Sequence, residues 1–321
     1  MAVTNRKPSF SGVCDAFEKL KLIVPPTPLM PIHISGKTIW CKCESLQPMG
    51  AFKLRGAWHR LTALPEKERN AGVVAFSSGN HAQGIAWAAQ RLAMPATIVM
   101  PSDAPALKIA GTARMGADII FYDRLTESRE EIALDLAQKK GAVLVPSFDD
   151  PWVIEGQGTA GLEALEQMFV EGLEAPDLIV TPCGGGGLAA GLALAIPSAC
   201  VVTVEPEGWD DMAVSLSCGK IIPVALHPPK TSCDALQTLR VSPLTFEVLL
   251  ARNALGVAVT ENEVFEAMRF AKTSLNLVLE PGGAVALAAM LAGKVTPKER
   301  TLLMLSGGNV DPDLFDHVMV R

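Results

Sequence analysis

Lys53 lies in the run Gly50, Ala51, Phe52, Lys53, Leu54, Arg55, Gly56, Ala57, a lysine flanked by glycines and apolar residues where a helix is expected to begin. An amine attacks a carbonyl only when neutral, and partial burial lowers a lysine pKa towards that state. The position therefore suits a Schiff-base nucleophile. A solvated surface lysine fits the same local pattern, so the weight falls on other segments.

Thr181, Pro182, Cys183, Gly184, Gly185, Gly186, Gly187 and Leu188 join an apolar strand pattern to a small-residue helix pattern. Consecutive glycines let backbone N–H groups converge, and a helix N-terminus adds positive potential, so a phosphate can be held there without a lysine. The spacing is neither the dinucleotide fingerprint nor a Walker loop. A tight turn is the plain alternative, although four glycines in a row lose more backbone entropy than a turn requires.

Phe76, Ser77, Ser78, Gly79, Asn80 and His81 form a second strand-to-helix junction. Ser78 or Asn80 suits a helix N-cap, and the same amides, hydroxyls and imidazole equally suit a substrate carboxylate. Leu305, Ser306, Gly307, Gly308 and Asn309 follow the apolar run Thr301 to Leu305, which puts Ser306 at a strand's carboxyl end. Ligands gather at that edge of open α/β sheets, while a polar turn is the alternative. Glu205, Pro206, Glu207, Gly208, Trp209, Asp210 and Asp211 offer carboxylates for a hard divalent cation, or an acidic surface loop. An amine, a phosphate cradle, a carboxylate cradle and a hydroxyl together describe a cofactor with a phosphate, an aldehyde and a ring nitrogen. That cofactor is pyridoxal phosphate.

The elements that must position these groups alternate in the βαβ manner. Strands are expected at Val73 to Phe76, Thr97 to Met100, Ile119 to Tyr122 and Val143 to Val145, with helices at Asn80 to Leu92, Pro105 to Met115 and Glu127 to Lys140. Phe148 to Glu155 leads into a long helical pattern ending near Gly172. A second series has strands at Leu178 to Pro182, Val201 to Glu205 and Thr301 to Leu305, and helices at Leu188 to Ile196, Glu261 to Lys272 and Gly283 to Leu291. The fold class is α/β with two mainly parallel sheets, and Ile39 to Glu44 fits either of them.

Composition narrows the function further. At 321 residues and 49% hydrophobic content the chain can bury two cores. A net charge of −6 with scattered basic residues leaves no footprint for nucleic acid. The seven cysteines are odd in number, and the close pair Cys41 and Cys43 lacks the partners of a zinc site, so reduced thiols in a cytoplasmic protein are expected. No signal-peptide run follows Arg6 and Lys7. The uncharged stretch Leu178 to Val204 is broken by Pro182, the glycines and Pro197 into strand, turn and helix, so no membrane span is expected.

As a set, SLQPMGAFKLRGA at 45–57, SSGNHAQG at 77–84, GQGT at 156–159, PCGGGGLAAG at 182–191 and LSGGN at 305–309 resemble the serine/threonine dehydratase and serine racemase family. This family sits within the tryptophan-synthase-like, fold type II pyridoxal-phosphate enzymes, and the resemblance runs from about Pro25 to Asp311. It implies two open twisted sheet domains flanked by helices with the cofactor in the cleft between them. Residues 1–47 plus 148–321 would form the large cofactor-binding domain, and 48–147 the small substrate-closing domain.

Carried over, the resemblance makes Lys53 the Schiff-base lysine and α-proton base, with Phe52 beside the ring and Asn80 on the ring hydroxyl. Gly184, Gly185, Gly186, Gly187 and Leu188 would bind phosphate, and Ser306 would face the pyridine nitrogen. A neutral hydroxyl there does not enforce a pyridinium, which favours β-elimination over a long-lived carbanion. Ser77, Ser78, Gly79 and His81 would hold the substrate carboxylate, and Thr238, with Gln237, would face its side chain.

Ser78 stands where classical threonine dehydratases carry alanine and racemases use a second acid/base. Glu205, the Trp209 carbonyl and Asp211 match the family's Mg2+ or Ca2+ site. Cys233, Asp234, Ala235 replace the usual Ala, Asp, Gly, which opens the question of substrate. The resemblance implies a homodimer acting on a small β-hydroxy amino acid, and the chain's end after LSGGN implies no isoleucine-type regulatory domain. The leading expectation is an L-threonine/L-serine ammonia-lyase giving 2-oxobutyrate or pyruvate and ammonia. Serine racemase with side dehydratase activity and 3-hydroxyaspartate dehydratase are the alternatives.

Overall fold

The computed structural model describes residues 6–77 and 79–320, the side chain of Leu107 excepted. Its strands are β1 Leu29–Ile34, β2 Lys37–Cys43, β3 Val73–Phe76, β4 Ala96–Pro101, β5 Asp118–Tyr122, β6 Val143–Leu144, β7 Leu178–Pro182, β8 Cys200–Pro206, β9 Leu255–Val259 and β10 Thr301–Leu305. The helices are α1 Phe10–Leu20, α2 Leu54–Thr62, α3 Glu66–Ala71, α4 Asn80–Arg91, α5 Ala106–Arg114, α6 Arg129–Lys140, α7 Pro151–Val170, α8 Gly187–Ala195, α9 Asp211–Cys218, α10 Pro243–Ala251, α11 Glu261–Leu275, α12 Pro281–Leu291 and α13 Pro312–Val320.

The strands form a six-stranded sheet in the order β1-β2-β10-β7-β8-β9 and a four-stranded sheet in the order β5-β4-β3-β6. Every pairing is parallel except the antiparallel β1–β2 edge. The run that fitted either sheet, Ile39 to Glu44, goes to the larger one, because β2 pairs with β10 from Ile39 opposite Thr301 to Cys43 opposite Leu305. β7 and β10 are buried at every residue, as strands covered on both faces must be. Two helices are apolar all round and correspondingly buried: α8 throughout and α12 from Pro281 to Met290.

Small residues set the closest helix approach. A Cβ on Gly158 of α7 would lie 2.5 Å from the Gly191 carbonyl oxygen of α8, so the two backbones touch. One core spans the larger sheet, α11 and α12. Another lies under the smaller sheet and includes Leu54, Trp58, Ile85 and Ile98, but it also draws Leu20 and Val24 from the α1 region and Val153 from α7. The sequence boundary near residue 147 therefore crosses a shared core. The stretch Leu178 to Val204 is the expected strand, glycine turn and helix, and among the described residues no helix is long and apolar enough to cross a membrane.

Candidate functional site

Three strands, β3, β7 and β10, deliver their carboxyl ends to one cleft, and each hands on to a segment of unusual composition. After β7, Gly186 adopts the left-handed conformation at φ +88° and caps α8, a conformation open to glycine at little strain. The loop is pinned from both sides. Thr245 Oγ1 donates to the Gly185 carbonyl at 2.8 Å, and a Cβ on Gly185 would meet the Phe148 ring at 2.3 Å. The glycines that lead into α8 line the cleft and carry no Cβ of their own to cover their backbone N–H groups.

β10 carries Ser306 and is stitched to the Lys53 segment. Ala51 bridges Gly307, Phe52 N–H donates to the Ser306 carbonyl at 3.1 Å, and Gly308 N–H donates to the Gly50 carbonyl at 2.8 Å. Lys53 follows as the N-cap residue of α2. Its Nζ donates to the Ser147 carbonyl at 3.0 Å, and burial pushes its pKa down to about 8. A substantial neutral fraction follows near neutral to mildly alkaline pH, as amine chemistry requires.

The third junction, after β3, starts α4 at Asn80 with Gly79 as N-cap. His81 is fully enclosed, and its Nε2 donates to the Val145 carbonyl at 3.0 Å. Burial, then the charge of Lys53, pushes its pKa down to about 3. The imidazole is thus neutral and tied to the protein, so any part His81 takes in a carboxylate cradle falls to its backbone N–H.

Phe52, Lys53, Ser77, Gly79, Asn80, His81, Gly184 to Gly187, Leu188, Thr238 and Ser306 all line one cavity of about 640 Å³. That volume lies within the range of small-molecule sites. Ser78 lies outside the described residues. Gln237 lines the cavity beside Thr238, and its Nε2 donates to the Thr231 carbonyl at 3.3 Å.

The expected metal ligands lie apart from this cavity, behind the glycine loop. The alternative of an acidic surface loop does not hold: Glu205 is fully buried within β8, and Asp211 is a buried first residue of α9. Glu205 accepts from the N–H groups of Met212 at 3.1 Å and Ala213 at 2.8 Å. Both Asp211 carboxylate oxygens are buried without a hydrogen-bond partner. Burial, then the neighbouring Asp211, holds the Glu205 pKa well above the carboxylate range, and burial pushes Asp211 up to about 7. Two enclosed carboxylates, one of them with both oxygens unmet, are a donor set that a hard cation fits.

The lining residues not singled out from sequence include Arg129, Phe148, Asp149 and Glu280. Arg129 stacks over the Phe76 ring at 5.4 Å and donates through Nε to Glu130 at 2.9 Å, while its terminal nitrogens bond to no other described residue. No local signal marks it. Glu280 did have one, since it is the only charge between Lys272 and Lys294.

The family described as pyridoxal-phosphate dependent enzyme matches residues 20–307. The chain is 42% identical to an L-threo-3-hydroxyaspartate ammonia-lyase from Pseudomonas sp over 94% of its own length and 96% of the relative's. Among solved structures it is similar to a threonine deaminase from T.th., with TM-score 0.87 and 41% identity, covering 95% of this chain and 99% of that one. It is also similar to maize serine racemase, with TM-score 0.89 and 34% identity over 98% of each chain.

Proposed function

Because the chain belongs to the pyridoxal-phosphate-dependent enzymes, within the group of ammonia-lyases and amino-acid racemases of fold type II, we propose that it is an ammonia-lyase for a β-hydroxy amino acid bearing a second carboxylate, of the 3-hydroxyaspartate kind. The observation that carries the reaction type is half-buried Lys53, with its pKa at about 8, in one cavity with the glycine loop, Asn80 and Ser306. Sequence reasoning put L-threonine and L-serine first. The Pseudomonas relative, and the free terminal nitrogens of Arg129 in the cavity wall, move the dicarboxylic substrate ahead. A guanidinium recognises a carboxylate through paired N–H donors.

The glycine loop suits the phosphate, its open N–H groups and the α8 N-terminus supplying donors and positive potential. Asn80 and Ser306 suit the ring's hydroxyl and nitrogen, and Phe52 one of its faces. When bound, the cofactor supplies the electron sink that acidifies the amino acid's α-carbon. Lys53 would take the α-proton at Nζ as general base. Ser77 and the N–H groups that open α4 hold the α-carboxylate. The β-hydroxyl then leaves as water, taking up a proton in exchange for the one Lys53 removed, and hydrolysis of the resulting enamine gives a 2-oxo acid and ammonia.

Purified protein should show the visible absorption band of a bound pyridoxal group, and Lys53→Ala should abolish it together with activity, by ~10⁴-fold or more. A wild-type protein without that band would contradict the reading.

Glu205, Asp211 and the Trp209 carbonyl would hold Mg2+ or Ca2+, bracing the loop from behind. Chelation should then lower the thermal midpoint, and a midpoint unmoved by chelator and by added Mg2+ or Ca2+ would remove the metal from the account.

A further inference from the structure

A chain of polar groups crosses the cleft between the two sheets, alternating sides at each step. Asn309, after β10, donates through Nδ2 to Asn80 Oδ1 at 2.8 Å and to the Met49 carbonyl at 2.9 Å. Asn80, at the start of α4, donates through Nδ2 to Glu280 Oε1 at 2.5 Å. Glu280 is the N-cap residue of α12, and its Oε2 lies 3.7 Å from Lys108 Nζ on α5. Lys108 in turn donates to Asp234 Oδ2 at 2.5 Å.

This arrangement fixes which way the Asn80 carboxamide points. A carboxylate only accepts, so Asn80 must turn its nitrogen to Glu280. The Asn309 nitrogen, drawn to the Met49 carbonyl, must then meet the Asn80 oxygen. One N–H of Asn80 remains, on a residue that lines the cavity. A flipped carboxamide would set oxygen against carboxylate and offer the cavity an acceptor.

We propose that Glu280 is a positioning residue for the cofactor ring, holding Asn80 as a donor towards the ring hydroxyl while Lys108 balances the carboxylate's charge. The proposal rests on the cofactor reading above. Packing alone does not account for Glu280, because its Oε2 is buried without a hydrogen-bond donor, an arrangement that destabilises the fold. Burial raises the Glu280 pKa, and the charge of Lys108 opposes it. Lys108 is itself buried, which alone would lower its pKa, but Glu280 and Asp234 outweigh that and hold it above the ordinary lysine value.

The test is a double-mutant cycle of wild type, Glu280→Leu, Asn80→Ala and the double variant, each stripped of cofactor and titrated with pyridoxal phosphate. The readouts are the dissociation constant and the ratio of the two long-wavelength absorption bands of the bound cofactor. Glu280→Leu should weaken binding about 5- to 20-fold and change the band ratio, as expected for one lost oriented hydrogen bond. In the Asn80→Ala background the same change should alter either quantity less than about twofold, because the group it acts through is gone. A Glu280→Leu effect that persists in full without Asn80, or no effect at all, would overturn the proposal. Should Glu280→Leu not fold, Glu280→Ala takes its place under the same criteria. Wild type that binds no pyridoxal phosphate would instead sink the cofactor reading along with the proposal.

Discussion

Burial pulls the Lys53 pKa from 10.5 down to about 8, so this residue sets chemistry against stability. Between those pH values the unfolded chain binds more protons than the folded one, and the stability contributed by this group rises with pH across the window. Cofactor-free Lys53→Met should therefore be more stable than cofactor-free wild type by roughly 2–3 kcal/mol at pH 7. The gap should close as pH rises from about 8 through 10.5, as read by denaturant unfolding at a series of pH values. A difference independent of pH would place the effect in packing rather than charge. Lys53, the glycines and Ser306 were legible from sequence because each lies in a short segment whose own backbone defines its task. Arg129 and Glu280 were not, since their meaning comes from residues far away in the chain, such as Phe76 and Asn80.

At the scale of elements, α2 must hold Lys53 in place, and its anchor is two residues further on. Arg55 is almost fully buried and donates from Nε and Nη2 to Glu44 at 2.7 and 2.8 Å, and from Nη2 to Glu163 on α7 at 2.9 Å. Lys42 on β2 completes the cluster at 2.6 Å from Glu163. Removing one partner of such a buried group leaves uncompensated charge, at a cost of about 3–5 kcal/mol. Arg55→Met should lose that much in denaturant unfolding, and a loss below about 1 kcal/mol would mean that the cluster does not anchor α2. The motif reading included Arg55 only as a neighbour of Lys53; its partners at Glu44 and Glu163 are set by tertiary packing. β1 and β9 were likewise missed. β1 carries Pro31 and His33 on an edge, and β9 is a half-exposed edge strand, so neither shows the apolar run of a central strand.

The whole molecule places two sheets with their carboxyl edges towards a common cleft; the alternating pattern of the sequence anticipated the two sheets, and the family resemblance the cleft between them. Strand order was not legible: β10 inserts between β2 and β7, a pairing of Thr301 with Ile39 and Leu178 that no local pattern encodes. We propose that the unit around the smaller sheet moves against the larger one when substrate binds, with the Asn309–Asn80–Glu280–Lys108 crossing as one of the contacts between them at the cleft. The most direct measurement of the central claim is 2-oxo acid and ammonia released by holoenzyme from L-threo-3-hydroxyaspartate, L-threonine and L-serine, alongside any D-amino acid formed. The dicarboxylic substrate should give the highest kcat/KM, by about 10-fold or more, and Arg129→Met should lower that value about 10- to 100-fold while changing L-serine turnover far less. Dominant D-amino acid formation, or no 2-oxo acid from any of the three, would contradict the account.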